Sequence, residues 1–150
     1  MKKLLPAALC FATVFVGCTS TSSMQTSNQS PTEVNAVNVH YLEIVTPDVN
    51  ETCNALQKAH NVAFGEPVPE LGNARTALLS SGGTLGVRAP MHDAEEPVVR
   101  PYVLVADIEN AVEAARSAGA EIALPPMEIP GRGRCAIYIL GGIQHGLWER

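Results

Sequence analysis

The sequence predicts a duplicated α+β domain built from two β-α-β-β-β units, on three observations. First, residues 48–83 overlay residues 107–142 without a gap. Asp48 falls on Asp107, Ala55 on Ala114, Ala59 on Ala118, Pro67 on Pro126, Gly72 on Gly131, Arg75 on Arg134, Ala77 on Ala136, and Gly82-Gly83 on Gly141-Gly142. Second, each copy opens with an apolar, β-branched run whose periodicity then switches to that of a helix. Third, each copy closes with two short apolar runs joined at a pair of glycines, the residues that suit the positive φ of a tight hairpin.

The elements follow in order. "HYLEIVTPD" reads as a strand stopped by Pro47, because the residue before a proline is driven out of the helical region. Asp48 is then placed as an N-cap with Glu51 three residues on, and Val49, Thr52, Cys53 and Leu56 recur at helical spacing. "VAFGEP" is a short apolar piece leading to the loop "ELGNA", after which residues 75–80 and 84–88 form the first hairpin. The polar stretch "MHDAEEP" reads as a linker to the second unit. There "RPYVLVADI" is the strand, Asp107 the cap, Ile108, Ala111, Val112 and Ala115 the buried stripe, and Gly119 the stop. "AEIALPP", the loop "IPGRG" and a hairpin of residues 135–140 and 143–149 complete it. A ferredoxin-like duplication is the competing fold, but it lacks the extra hairpin strand.

The folded part is expected over residues 37–150, with unit one at 37–97 and unit two at 98–150. Before it, Lys2 and Lys3 precede an apolar run over residues 4–16 that is too short to span a bilayer and ends at "VGCTS". Residues 1–17 therefore read as a secretion signal. Phe15, Val16, Gly17 and Cys18 resemble a bacterial lipobox, although Phe15 replaces the usual Leu or Val. The resemblance implies a Cys18 carrying two or three acyl chains, enough for stable anchoring. Thr19 after the cysteine, rather than Asp, implies the outer membrane, facing the periplasm. Residues 18–36 are then the lipidated cysteine and a Ser/Thr-rich tether, "TSTSSMQTSNQSPTE".

Loss of Lys2 and Lys3 takes the ten basic residues to 8 against 15 acidic ones, a net charge near −7. With no basic stripe to neutralise phosphates, nucleic acid is excluded as a partner. Of four cysteines, Cys10 leaves with the signal and Cys18 takes lipid, leaving Cys53 and Cys135. They read as two unpaired core residues, with a disulfide as the alternative.

The two units with these turn positions, and above all "PPMEIPGRGRCAIYILGGIQHGLWE", resemble the vicinal oxygen chelate superfamily, which holds glyoxalase I, bleomycin-resistance proteins and extradiol dioxygenases. The resemblance implies a cup-shaped, glyoxalase-like mixed sheet with helices outside and ligands on the inner face. Metal-using members carry one ligand on the first strand and one on the last strand of each unit. Those positions here are Tyr41, Gly86, Arg100 and Gly146. Glycine has no side chain, arginine is a fixed cation, and neutral tyrosine is a poor ligand. No cofactor is therefore expected. A divalent metal is the alternative, resting on His40 one residue from a ligand position. A one-residue slip would, however, turn Leu42 and Ile44 from the helix-packed side to the open side.

Alternation places Tyr41, Glu43, Thr84, Arg88, Arg100, Tyr102, Leu104, Gln144 and Trp148 inside the cup. Of these, Tyr41, Glu43, Arg88, Arg100, Tyr102, Gln144 and Trp148 are the candidate ligand-binding residues, with no catalytic residue assigned. Aromatic walls and a guanidinium able to grip a carboxylate point to a small, anionic organic molecule. The competing reading pairs Arg100 with Glu43 and packs the aromatic residues as core. Glycines at 86 and 146 leave room where relatives place Glu. Arg132 and Arg134 in "IPGRGR" are a weaker candidate for an anion grip over the cup. His145 falls on the helix-packed side and is expected to be buried and hydrogen-bonded.

The expected function is an envelope-anchored binding module. A glyoxalase-, lyase- or dioxygenase-type enzyme is the second reading and an envelope interaction protein the third. The two units can complete a cup within one chain or across a homodimer, and the sequence does not choose.

Overall fold

The computed structural model describes residues 36–150; the expected leader, Cys18 and the tether up to residue 35 lie outside the described residues. The elements are β1 (Val39–Val45), α1 (Val49–His60), β2 (Pro67–Val68), a 3-10 turn (Pro69–Leu71), β3 (Ala74–Leu78), β4 (Thr84–Arg88), β5 (Val98–Leu104), α2 (Ile108–Ser117), β6 (Glu121–Ile129), β7 (Gly133–Leu140) and β8 (Ile143–Glu149). They build one 8-stranded mixed sheet in the order β2-β3-β4-β1-β5-β8-β7-β6. β1 runs parallel to β4 and β5 parallel to β8, and the units meet through the antiparallel pair β1–β5. This is the duplicated α+β, glyoxalase-like architecture that the repeat predicts.

The two units depart from each other where local chemistry differs. Asp107 caps α2, its carboxylate accepting from the Asn110 N–H at 2.9 Å, whereas Asp48 makes no such bond and its own N–H donates to Thr46 Oγ1 at 3.2 Å. The symmetric capping expected from the sequence therefore holds only in the second unit. Likewise "AEIALPP" extends into the nine residues of β6, while the corresponding first-unit strand is only Pro67–Val68 before the 3-10 turn. Pro69 fixes φ at the start of that turn and lacks the N–H a continuing ladder needs.

Packing follows the same asymmetry. Ile108 and Val112 of α2 bury against Ala136 and Leu147 on the outer sheet face, as the stripe predicts. α1 fully buries only Cys53 and meets chiefly β4. Leu42 and Ile44, expected to be helix-packed, are half-buried, less covered than the inward Tyr41, Glu43 and Val45. The larger core lies inside the cup, where Tyr41, Leu71, Ala74, Tyr102, Ile129, Cys135 and Trp148 cluster. Cys53 and Cys135 are both buried free thiols.

The closing hairpin turns at Gly141 and Gly142 with φ of 61° and 77°, the double positive φ of a type I′ turn. Of the paired glycines in the first unit's hairpin, only Gly82 has positive φ. Gly83 serves close approach instead, since a Cβ there would stand 2.6 Å from the Val39 carbonyl oxygen.

Candidate functional site

The concave face encloses a cavity of about 490 Å³, lined by all seven candidate residues: Tyr41, Glu43, Arg88, Arg100, Tyr102, Gln144 and Trp148. Register explains the convergence. Glu43 at the centre of β1 lies opposite Arg100 of β5 on one side and Gly86 of β4 on the other, while Arg88 closes β4 next to Val45. Leu124, Met127 and Ile129 of β6 with Ile137 of β7 supply an apolar wall.

Glu43 is the hub. One carboxylate oxygen accepts from Arg88 Nε at 2.7 Å; the other accepts from Arg100 Nη1 and from the Tyr102 hydroxyl at 3.2 Å. Arg100 turns its Nε to Gln144 Oε1 at 2.9 Å, and its Nη2 donates to the same oxygen. Glu43, Arg88 and Arg100 are 5 %, 4 % and 3 % exposed, so these charges have left water and depend on one another. The pairing read as the alternative from sequence is thus present, and the guanidinium expected to be free for a ligand is already engaged.

The residue that sequence reasoning missed is Glu95, in the linker of residues 91–97. Its carboxylate binds Arg88 as a fork, Oε1 to Nη2 at 2.6 Å and Oε2 to Nη1 at 2.8 Å, and also accepts the Met91 N–H at 2.8 Å. It stands 3.8 Å from Arg100 Nη2. The hydrogen bonds from Arg88 hold its carboxyl down at about 2, against the desolvation that would raise it. "HDAEEP" carries no periodicity, so nothing in the sequence distinguishes Glu95 from Glu96.

The aromatic residues form the floor. Trp148 packs tilted or edge-on among His40, Tyr41 and Tyr102 with ring centroids 5.3, 5.5 and 5.7 Å away, and its Nε1 donates to the Arg132 carbonyl at 3.0 Å. Among the described residues, the Tyr41 hydroxyl is the buried side-chain polar atom without a partner. Burial, and next the nearby Glu43 charge, push the Tyr41 and Tyr102 hydroxyls upward, so both stay protonated. Burial raises the Cys135 thiol to about 11.

The glycines do not leave open room. A Cβ on Gly86 would meet the Tyr41 hydroxyl at 1.9 Å, and one on Gly146 would meet the Tyr102 ring at 2.3 Å. Tyrosine rings thus fill the space over both glycines. With Arg100 bound to Glu43 and Gln144, the four positions Tyr41, Gly86, Arg100 and Gly146 present no donor set suited to a divalent cation. Elsewhere Asp107, Glu109 and Glu149 converge, but Asp107 caps α2 and the other two pair with Arg134.

Other expectations need correcting. Thr84 lines a second cavity of about 440 Å³, beyond Tyr41 and Trp148, together with His40, Arg132 and Arg150. His40 reaches that side because the β1–β5 register is irregular between Val39 and Tyr41, which simple alternation cannot anticipate. Arg134 faces Glu109 and Glu149 rather than the cup. His145 is only half-buried and stacks on Tyr138 at 5.0 Å instead of sitting in the core.

No protein-family model and no curated protein matches the chain. Solved structures do. A hypothetical protein from Bacillus halodurans C-125 superposes with a TM-score of 0.62 at 10% identity, over 77% of this chain and 95% of that one. Methylmalonyl-CoA epimerase from Mycobacterium tuberculosis gives 0.56 at 17%, over 75% and 86%. A methylmalonyl-CoA epimerase in complex with methylmalonyl-CoA and NH4+ gives 0.55 at 16%, over 75% and 94%. At these identities the likeness shows the fold, that of the vicinal oxygen chelate superfamily.

Proposed function

We propose that the domain binds a small organic acid in the cup. The apolar body lies against Leu124, Met127, Ile129 and Ile137, and the carboxylate is received at the Arg88–Arg100 end. The observation that carries this reading is a cavity of about 490 Å³ joining an apolar wall to two buried guanidinium groups. That volume is in the range of small-ligand sites, and a few convergent polar groups beside an apolar wall are their usual makeup. A solved structure of this fold, a methylmalonyl-CoA epimerase, is in complex with methylmalonyl-CoA, which supports a small-molecule ligand for this domain.

Binding is favoured over catalysis by the state of Glu43. Both of its oxygens already accept from arginines, which leaves it poorly placed to take a proton from a substrate. A metal-using form of the glyoxalase-, lyase- or dioxygenase-type reading also needs room beside Gly86 and Gly146, where the Tyr41 and Tyr102 rings stand. Elemental analysis of the purified protein tests this: no stoichiometric divalent metal is expected, and one that is lost on His40→Ala would restore the enzyme reading.

On this proposal the protein works at the bacterial envelope, held by lipid on Cys18; labelling with a radioactive fatty acid should vanish in Cys18→Ala. Among the described residues no helix is long and apolar enough to cross a membrane. For the cup, Trp148 is the chain's single tryptophan, so its emission reports ligand entry. Decanoate, a flexible apolar carboxylate, should change that emission saturably, and Arg100→Ala should weaken the effect. An emission unmoved by either decanoate or decanol would refute the cup as a small-molecule site.

A further inference from the structure

Resting on that reading of the cup, we propose that the Glu95 carboxylate is an internal occupant of the ligand's anion position. A monoanionic organic acid exchanges with it on the Arg88 fork and releases the 91–97 linker from the mouth. The geometry is that of a bound ligand. Glu95 makes the two-point contact of a carboxylate on a guanidinium, with Nη2–Oε1 at 2.6 Å and Nη1–Oε2 at 2.8 Å. Arg88 Nε is turned the other way, to Glu43 at 2.7 Å. The fork edge of Arg88 thus faces the cavity mouth, and its inner edge is fixed by the sheet.

Charge defines the ligand class. With Glu95 in place, two carboxylates balance the two arginines, Arg88 and Arg100. When Glu95 swings out, the buried centre keeps one uncompensated positive charge, and one incoming negative charge restores neutrality. A neutral ligand would leave a desolvated cation unpaired, and a dianion would bury an excess negative charge, each a costly state in a low-dielectric site. The exchange therefore selects acids carrying a single charge.

The linker is built to let go. Met91, His92, Asp93, Ala94 and Glu96 are exposed, and Glu95 alone among residues 91–96 turns inward. Its other hydrogen bonds are local, Met91 N–H to the Glu95 carboxylate at 2.8 Å and Glu95 N–H to the His92 carbonyl at 3.0 Å, and the Met91 side chain lies over Gly72. No apolar side chain of the linker joins the core clusters. Replacing one carboxylate by another on the same two N–H groups keeps that contact, but the tethered Glu95 has the advantage of effective concentration and of its Met91 N–H bond, so the exchange is driven by the apolar body of the ligand covering the β6–β7 wall.

The experiment titrates the purified protein with decanoate and with decanol, read by Trp148 emission, for the wild type and Glu95→Gln. It is paired with cleavage of the wild type by a glutamate-specific protease. Removing the internal competitor should raise decanoate affinity about tenfold or more while changing decanol affinity less than about twofold. Saturating decanoate should speed cleavage after Glu95, whose side chain the Arg88 fork holds, in the wild type, an arm that needs no variant. If decanoate binds, Glu95→Gln binds it no better and cleavage is not accelerated, the exchange is wrong and the cup reading survives. If neither amphiphile binds either protein, the cup reading itself fails and takes this inference with it.

Discussion

Replacing Glu43 by Leu should cost more stability than any other single change in the cup. Glu43 is 5 % exposed and accepts from Arg88 Nε, Arg100 Nη1 and the Tyr102 hydroxyl. Without it, two buried arginines face one remaining partner, Glu95, and one cation is left desolvated. Removing one member of a buried ion pair costs about 3–5 kcal/mol. At about 4 °C per kcal/mol for a domain of this size, thermal unfolding should fall by about 12–20 °C. Removing Arg100 together with Glu43, as in Glu43→Leu with Arg100→Met, leaves Arg88 and Glu95 balanced. It should recover at least about 2 kcal/mol of the loss, a coupling that independent sites would not show. Differential scanning calorimetry at neutral pH measures both. A single variant that melts within about 4 °C of wild type, or a double variant no more stable than the single one, would refute the account of Glu43 as the charge hub.

Two further outcomes follow from the same geometry. Glu95 has its carboxyl lowered from 4.5 to about 2 by the Arg88 fork, with Arg100 adding to it. A depressed folded-state value means the stabilisation is complete above the ordinary value and is lost as pH falls from 4.5 toward 2. Discounted for its place at the mouth, the contribution is about 1–2 kcal/mol, so the stability gap between wild type and Glu95→Gln should close on acidification across that window. Gly146→Ala should cost about 1–3 kcal/mol, since the new Cβ drives into the Tyr102 ring, and Tyr102→Leu should return part of it; urea unfolding of the single and double variants decides whether the two positions are coupled.

The fold was legible because its signals are redundant. The repeat, the period change at Asp48 and Asp107, and the paired glycines each locate the same elements, and the sheet places them as two mirrored halves joined at β1 and β5. The seven cup residues followed from alternation once the resemblance had said which face is the inner one, since period two fixes which residues share a face of a strand. Alternation failed for His40, where an irregular register between Val39 and Tyr41 breaks the period. It also cannot tell a ligand-ready arginine from one already paired, because that depends on a residue outside the strands. Glu95 comes from a linker without periodicity, and its role appears only when the end of β4 is brought beside it.

The tyrosines and glycines tie the aromatic floor of the cup to its ionic centre. Gly86 and Gly146 are held to glycine by packing, because each lies beneath a ring that a larger residue would displace. Putting a Glu back at Gly146 would therefore need Tyr102 to move, and Tyr102 donates to Glu43. Moving Tyr102 would in turn loosen the hub that balances Arg88 and Arg100. The aromatic floor and the ionic centre thus hold each other in place, and a larger residue at Gly146 cannot be introduced without disturbing both. On the proposed reading this explains why recognition is carried by the arginine row and its linker carboxylate. Those groups can exchange a partner at the mouth while the floor beneath them stays packed.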